Sequence, residues 1–419
     1  MTDSRRQDAD VIVVGGGPAG AATAWSLATA GIDVLVLDRA RFPRDKVCAE
    51  YLSPQASRIF SDMGVLEEIE NAGAAHLAGM ILRAPSGDTV HAEFAGVKGF
   101  AAYSNRGLAL RRTVLDDILL RSARAAGARV EEGVRVTDVL RDSNGRVNGV
   151  AVTGDGGESR SLRTRMVVGA DGLRSVVGRR LGLVRVRRWP KRVGLISHYR
   201  GIAGMRGMGE MHVDAEGYLG LAEVGHGVTN VGIVIPMSRA AQVSGDREGF
   251  VKQWIASRPH LAPRFADAEQ VTPVRATGPF NSVAARAYVP GAALVGDAAD
   301  FFDPFTGEGV YAALRGGEIL APYVAEALKA NGDGGGGLNA LRGYEAARHK
   351  EFGGKWKLER IIGMSIAFPS LMNHAARALA SRKDMADLLV GVAGDFVPAE
   401  VVLNPRFLFD LFLSPTIRN

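Results

Sequence analysis

The run Gly15-Gly16-Gly17-Pro18-Ala19-Gly20 fits the pattern G-x-G-x-x-G. Glycines at this spacing allow a tight turn, let backbone amides approach a pyrophosphate, and permit close packing of a helix on a strand. A helix starting there also points its positive dipole end at the phosphates. Asp38 follows Gly17 by 21 residues, where a carboxylate accepts the hydroxyls of a ribose. These features predict dinucleotide binding by Gly15, Gly17, Pro18, Ala19, Gly20, Asp38 and its neighbour Arg39. Two further acids, Asp171 and Asp297, stand in glycine-flanked turns, Gly169-Ala170-Asp171-Gly172 and Gly296-Asp297. The segment Asp303-Pro304-Phe305-Thr306-Gly307-Glu308-Gly309 places glycines before a helix, freeing amide donors and a positive helix end for negative charge. Cys48, the one cysteine of the chain, sits in a loop with Arg44 and Lys46.

The elements around these residues have the right character to position them. Val11–Val14 and Val34–Leu37 are short, β-branched, continuously apolar runs, as expected of strands buried on both faces. With the helical stretch Ala21–Ala30 they form a βαβ unit. Ser53 is placed to cap a helix beginning at Pro54. The spacing of Val114, Leu115, Ile118, Leu119 and Ala123 predicts a helix over Arg112–Ala126. Strands are expected around Arg129–Leu140 and Val147–Thr153, joined by a turn at Asn144-Gly145. Alternation with frequent glycines over Val193–Pro236 predicts an antiparallel sheet, and Glu308–Ala330 a helix. Asn331–Gly337 reads as a flexible connector. The remainder is helical and rich in Leu, Phe and Met. Its apolar residues, among them Phe352, Trp356, Phe368, Phe407, Phe409, Phe412 and Leu413, are expected to pack on the first domain, or else to cover a long-chain substrate or meet an interface.

At 419 residues the chain exceeds what one hydrophobic core supports, so two interlocked domains are expected. The net charge of +6 is mild for this length and does not indicate nucleic acid. With a single cysteine there is no internal disulfide, and a cytoplasmic location is expected. No secretory signal is visible in Met1–Asp10. No uninterrupted run of roughly 18 apolar residues occurs, so a membrane-spanning helix is not expected. The eight histidines lack ligand spacing, and no metal site is predicted. Arg179, Arg180, Arg185, Arg187, Arg188, Lys191 and Arg192 form a basic run around Trp189, read as a solvated surface with an anionic headgroup, NADPH phosphate or membrane lipids as alternative partners.

The three motifs together resemble the FAD-dependent family that includes p-hydroxybenzoate hydroxylase, flavin-dependent halogenases and geranylgeranyl reductases, from about Asp10 to Tyr323. The resemblance implies a Rossmann-type FAD-binding α/β domain, of the glutathione-reductase type, interlaced with an antiparallel-sheet substrate domain and followed by C-terminal helices. It implies that Asp297, after Gly296, binds the ribityl chain of FAD, that the Asp171 segment lies near the pyrophosphate, and that Arg112 lies beside the cofactor. It places Pro304, Gly307, Glu308 and Gly309 at the flavin pyrimidine. Domain limits follow as 1–85, 101–185 and 275–330 for FAD binding, 86–100 and 186–274 for substrate, and 331–419 for the helices.

Pro43-Arg44-x-Lys46-x-Cys48, then Leu52-Ser53-Pro54, is similar to an element of the geranylgeranyl-reductase branch, and so is Asp303–Arg315. That branch reduces isolated double bonds of prenyl chains, with the counterpart of Cys48 near the isoalloxazine. Cys48, Pro304 and Gly307 are therefore the expected catalytic positions, and Tyr218 and Leu221 line the expected substrate sheet. Two departures matter. Ala49 replaces the glycine after the cysteine, and Tyr218-Leu219-Gly220-Leu221-Ala222 replaces a Tyr-x-Trp-x-Phe-Pro element of the branch. The halogenase Trp-x-Trp-x-Ile-Pro element is not visible. Reduction of a carbon–carbon double bond in a bulky apolar substrate is the leading expectation. A monooxygenase acting on an aromatic or polyketide substrate is the alternative, and a redox-sensing flavoprotein without turnover a third. No second G-x-G-x-x-G stands between a strand and a helix, so electrons are expected from NAD(P)H docking transiently or from an external carrier.

Overall fold

The computed structural model describes residues 7–330 and 336–412. Its first sheet is built from the apolar runs singled out above. Ala9–Val14 lies at the centre, paired in parallel with Val34–Asp38 on one side and the C-terminal half of Ser159–Gly169 on the other. Arg129–Glu132 and Ala292–Leu294 extend the sheet in parallel outward. Val11, Ile12, Val13, Val34 and Val36 are wholly buried, because helices cover one face of the sheet and Val136, Val150 and Val152 of the antiparallel strands pack on the same core. The helices Pro18–Thr29 and Gly309–Lys329 cross closely on one face: a Cβ on Gly317 would fall 2.8 Å from the amide of Thr23. That contact brings the Asp303–Gly309 loop beside the glycine turn.

The second sheet is mainly antiparallel. In spatial order it runs Glu269–Gln270, Arg192–Arg200, Val228–Pro236, Gly217–Glu223, Gly209–Asp214, Gly79–Arg83 and Thr89–Glu93. Only Gly209–Asp214 and Gly79–Arg83 pair in parallel. The limits expected at 85 and 275 fall inside this sheet, since Gly79–Arg83 and Arg275–Thr277 both hydrogen-bond into it. One face packs on the helix Arg247–Ala256 through Leu195, Leu221, Ile233, Val251 and Trp254. The other meets the cavity and the C-terminal helices.

Three local expectations need correction. Ser53 caps no helix: the helix starts at Ala56, and the Ser53 hydroxyl is buried without a partner. The stretch Arg129–Leu140 divides at Gly133, so that only Arg135–Arg141 pairs with Val147–Thr153, across the Asn144-Gly145 turn. The helices after residue 336 do more than pack behind the first domain. Pro369–Ala380 and Lys383–Ala393 cover the strand Thr89–Glu93, and Gly336–Ala367 sends side chains into the cavity. Most of the Asn331–Gly337 connector, and Leu413, lie outside the described residues. No described helix is long and apolar enough to cross a membrane.

Candidate active site

A continuous cavity of about 750 Å³ runs from the glycine turn, between the two sheets, to the C-terminal helix. Gly15, Gly17, Pro18, Ala19, Asp38, Arg39, Arg44, Lys46, Cys48, Arg112, Asp171, Tyr218, Leu221, Asp297, Pro304, Gly307, Glu308 and Gly309 all border it. Gly20 and Gly296 stand behind the wall. A Cβ on Gly20 would lie 1.8 Å from the Gly15 carbonyl oxygen, so only glycine lets the helix start this close to the strand end.

At the glycine turn, Asp38 closes the loop. Its Oδ2 accepts from the Gly16 amide at 2.7 Å and its Oδ1 from the Ala40 amide at 2.8 Å. Each oxygen keeps a lone pair for a further donor. Next to Gly17 stand two guanidiniums: a Cβ there would be 3.3 Å from Arg44 Nη2 and 3.8 Å from Arg112 Nη2. Both are held by Asp116, a carboxylate without solvent exposure. Arg112 donates to it twice, at 2.6 and 2.8 Å, and Arg44 Nη1 approaches to 2.9 Å. Burial opposes the Arg112 charge, yet Asp116 and the nearby Cys48 more than restore it. Arg44 Nη1 is buried without a well-directed hydrogen bond. Paired guanidiniums, a helix N-terminus and glycine amides are the donor set that a pyrophosphate requires. Asp116 ends the run Arg112-x-x-Leu115-Asp116, four residues after Arg112, the spacing of a helical ion pair.

Lys46 and Asp297 face one another farther along. Burial lowers the Lys46 pKa while Asp297 pulls it back up, and burial raises the Asp297 pKa against Lys46 and Arg112. The carboxylate of Asp171, by contrast, is taken up by structure. It accepts from the Ser175 hydroxyl and the Val176 amide, both at 2.6 Å, at the start of the helix Val176–Arg180. Asp171 thus shapes the second turn, with its carboxylate bonded to the start of that helix at the edge of the cavity.

The Asp303–Gly309 loop is anchored from the second sheet. Asp303 pairs with Arg192 at 2.5 Å and accepts from the Tyr218 hydroxyl at 2.5 Å. Arg192 is therefore buried behind the loop, unlike the half-buried Lys191 and the exposed arginines of its basic run. Gly307 adopts φ +74°, with Tyr51 so close that a Cβ would lie 2.7 Å from its ring. Beyond the loop the walls turn aromatic. Tyr218 meets Phe305 edge-on at 5.1 Å, Phe280 meets Phe301 at 5.3 Å, and Phe302 meets Trp356 at 6.2 Å. Leu221 borders the cavity, but its side chain belongs to the apolar cluster on the other face of the sheet, with Leu195 and Trp254. The residues 218, 220 and 222 share a face by the two-residue period of a strand.

Cys48 is a free thiol in this wall. Its loop is fixed by a buried network that sequence reading passed over. Glu50 takes φ +63°, uncommon for a residue other than glycine, and is wholly buried. It accepts from the Arg112 amide at 2.8 Å and from Asn230 Nδ2 at 3.0 Å, and lies 2.7 Å from His198 Nε2. Asn230 also donates to the Cys48 carbonyl at 2.8 Å. These contacts tie the cysteine loop to the second sheet. No motif marks Glu50, since its role arises from a backbone twist and partners far off in sequence.

The sequence profile of the FAD binding domain family matches residues 8–352. The chain is 32% identical over 395 residues to digeranylgeranylglycerophospholipid reductase 2 of Methanopyrus kandleri, covering 93% of each chain. It is 27% identical over 413 residues to the menaquinone reductase of Mycolicibacterium smegmatis, covering 94% of this chain and 93% of that one. Among solved structures, the flavin-dependent brominase Bmp2 superposes with a TM-score of 0.80 at 20% identity, over 96% of this chain and 99% of the other. At that identity the likeness establishes the fold. The glycine turn, the paired arginines and these relationships lead to one conclusion: the chain belongs to the FAD binding domain family and is an FAD-dependent oxidoreductase.

Proposed function

We propose that this oxidoreductase reduces isolated carbon–carbon double bonds in a prenyl-type lipid chain. The observation that carries the reading is the continuity of the cavity. One end presents the charged and amide groups suited to FAD, and the other presents Tyr218, Phe280, Phe301, Phe305, Met80 and Val234. A wall of that composition binds a chain by excluded water rather than by hydrogen bonds. The relatives named as reductases of digeranylgeranyl lipids and menaquinone, matched over nearly the full chain, support the same direction.

In this reading Arg44, Arg112 and the amides of Gly15–Gly17 hold the pyrophosphate, and Asp297 with Lys46 meets the ribityl region. The start of the helix Gly309–Lys329 offers unpaired amides and a positive dipole end to the negative charge of reduced flavin. When bound, reduced FAD supplies the hydride. Asp303, held by Arg192 and Tyr218, keeps the loop in place, and the aromatic wall keeps water from the reacting carbons. Electrons reach the flavin from NAD(P)H docking transiently or from an external carrier. A lipid substrate is drawn from the membrane surface, and the exposed Met364, Phe368, Leu371 and Phe409 give the C-terminal helices an apolar face for that contact.

A second reading, oxygen transfer to an aromatic substrate, is favoured by Tyr218-Leu219-Gly220-Leu221-Ala222, where the prenyl-reductase branch carries its aromatic element. The open cavity counts against a redox sensor without turnover. The test is product analysis. Enzyme reduced anaerobically by light is mixed with a geranylgeranyl lipid, and the lipid is weighed by mass spectrometry. Gain of one H₂ per double bond is expected. An unchanged lipid, with oxygen incorporated into an aromatic acceptor when air is admitted, overturns the proposal in favour of the second reading.

A further inference from the structure

Adding hydride to an isolated double bond leaves the second carbon in need of a proton, so a reductase of this kind needs an acid that is neutral at working pH and faces the substrate. We infer that Glu359, on the helix Gly336–Ala367, is that acid. The inference rests on the alkene-reductase reading above and deepens it.

Glu359 borders the cavity beside Phe352, Lys355 and Trp356 of its own helix. The only protein donor it meets among the described residues is the Thr306 hydroxyl, 3.5 Å from Oε1, on the loop expected at the flavin. Its other oxygen is left for the cavity. Around it, charge is out of balance. Asp303 and Glu308 border the cavity with Glu359, and Asp395 stands behind them on Lys355, so four carboxyl groups meet three cations, Arg192, Lys355 and Arg360. Arg192 is committed to Asp303, and Lys355 lies between Asp395 and Glu308, 3.5 Å from the latter. Arg360, the remaining cation nearby, stacks over the Phe302 ring at 4.9 Å. Of the four carboxyl groups, Asp303 has two directed donors and a guanidinium, while Asp395 and Glu308 have Lys355. Glu359 has the poorest support for a charge. Burial, with Glu308 and Asp303 close by, pushes its pKa well above the usual carboxylate range. Tyr218 is a weaker candidate for the role, because its proton is already donated to Asp303.

The step balances as follows. Hydride from reduced FAD forms a C–H bond at one alkene carbon and takes the electron pair of the flavin with it. The π electrons form the second C–H bond with the proton of the Glu359 carboxyl. Oxidised FAD, the saturated chain and a Glu359 carboxylate result, and the carboxylate regains a proton from solvent. General acids of this kind contribute roughly 10²–10⁴-fold to rate.

The test compares wild type with Glu359→Gln and Glu359→Asp, all loaded with FAD and reduced by light under nitrogen before mixing with a geranylgeranyl lipid. Glu359→Gln is expected to lower the single-turnover rate by roughly 10²-fold or more, with KM for the lipid unchanged. It should abolish the decline of rate at alkaline pH expected of wild type, and Glu359→Asp should recover part of the rate. Two readouts are independent of turnover. Wild type should show the infrared carbonyl stretch of a neutral carboxyl that Glu359→Gln lacks. Because glutamine copies the neutral acid, Tm at neutral pH should not change. An active wild type with an equally active Glu359→Gln variant overturns the donor role alone. A raised Tm in that variant, from relief of repulsion by Glu308 and Asp303, shows an ionised Glu359 and overturns it too. A wild type that reduces no prenyl lipid overturns the alkene-reductase reading and this role with it.

Discussion

Replacing Asp116 by Asn tests how the end of the cavity proposed for the pyrophosphate is held. Asp116 has no solvent exposure, receives two hydrogen bonds from Arg112 at 2.6 and 2.8 Å, and lies 2.9 Å from Arg44 Nη1. Asparagine keeps the shape but leaves the buried Arg112 and the half-buried Arg44 without this counter-charge. Removing one partner of a buried ion pair costs about 3–5 kcal/mol. With unfolding entropy of about 2.1 cal/mol/K per residue over 419 residues, Tm of the apoprotein should fall by roughly 3–6 °C. The pyrophosphate of FAD brings negative charge to the same guanidiniums, so the bound cofactor should recover part of that loss. The assay is thermal unfolding of wild type and Asp116→Asn, each without FAD and at saturating FAD, with flavin fluorescence as a second probe. The Tm gained on adding FAD should be larger in the variant than in wild type. An unchanged apoprotein Tm, or an equal FAD-induced gain in both proteins, would refute the view that Asp116 holds these arginines ready for a pyrophosphate.

Three further outcomes follow from the geometry. Gly20→Ala puts a methyl 1.8 Å from the Gly15 carbonyl, so the turn must open, and the purified variant should lose its flavin absorbance relative to protein. Asp297→Ala should likewise abolish FAD retention, read from the same absorbance ratio, whereas a variant that stays fully yellow would remove Asp297 from the cofactor site. Acid should destabilise the second sheet in two stages. Burial, with Arg83 and His212, holds His260 down at about 4, and for Glu210 hydrogen bonds from His212 and Arg264 outweigh burial to give about 2. Both folded values lie below the unfolded ones, about 6.5 and about 4.3, so the folded state binds fewer protons and its advantage is lost as pH falls through each interval. A pH series of Tm should show the fall beginning near the upper value, and His260→Gln should flatten the part between about 6.5 and about 4.

The glycine-turn end of the cavity was legible because its constraints are local. A turn between a buried strand and a helix needs Gly15, Gly17 and Gly20 at fixed spacing, and the strand that follows must end on Asp38. The apolar runs Val11–Val14 and Val34–Leu37 likewise announce a doubly covered parallel sheet. What escaped notice depends on residues that meet only in three dimensions. Glu50 reaches His198 and Asn230 across the domain boundary through a positive φ, and neither its type nor its neighbours signal that twist. Arg192 is one of seven basic residues in a row of similar appearance, and only its burial against Asp303 sets it apart. Helix Gly336–Ala367 has a mixed polar and apolar sequence, so the contribution of Lys355 and Glu359 to the cavity, beside Phe352 and Trp356, could not be read from periodicity. Asp171 shows the reverse case. It matched a motif, yet its carboxylate caps a helix.

The central claim is that FAD and an alkene-bearing lipid share one cavity, and reoxidation of the flavin tests it most directly. Photoreduced enzyme would be followed by its visible absorbance after rapid mixing, under strict nitrogen, with a geranylgeranyl lipid and separately with aerated buffer. The account predicts that the lipid alone returns the flavin to its oxidised spectrum, faster than air does without lipid. A flavin that stays reduced under nitrogen with every prenyl lipid, and reoxidises only through an oxygen-dependent intermediate spectrum, would contradict it.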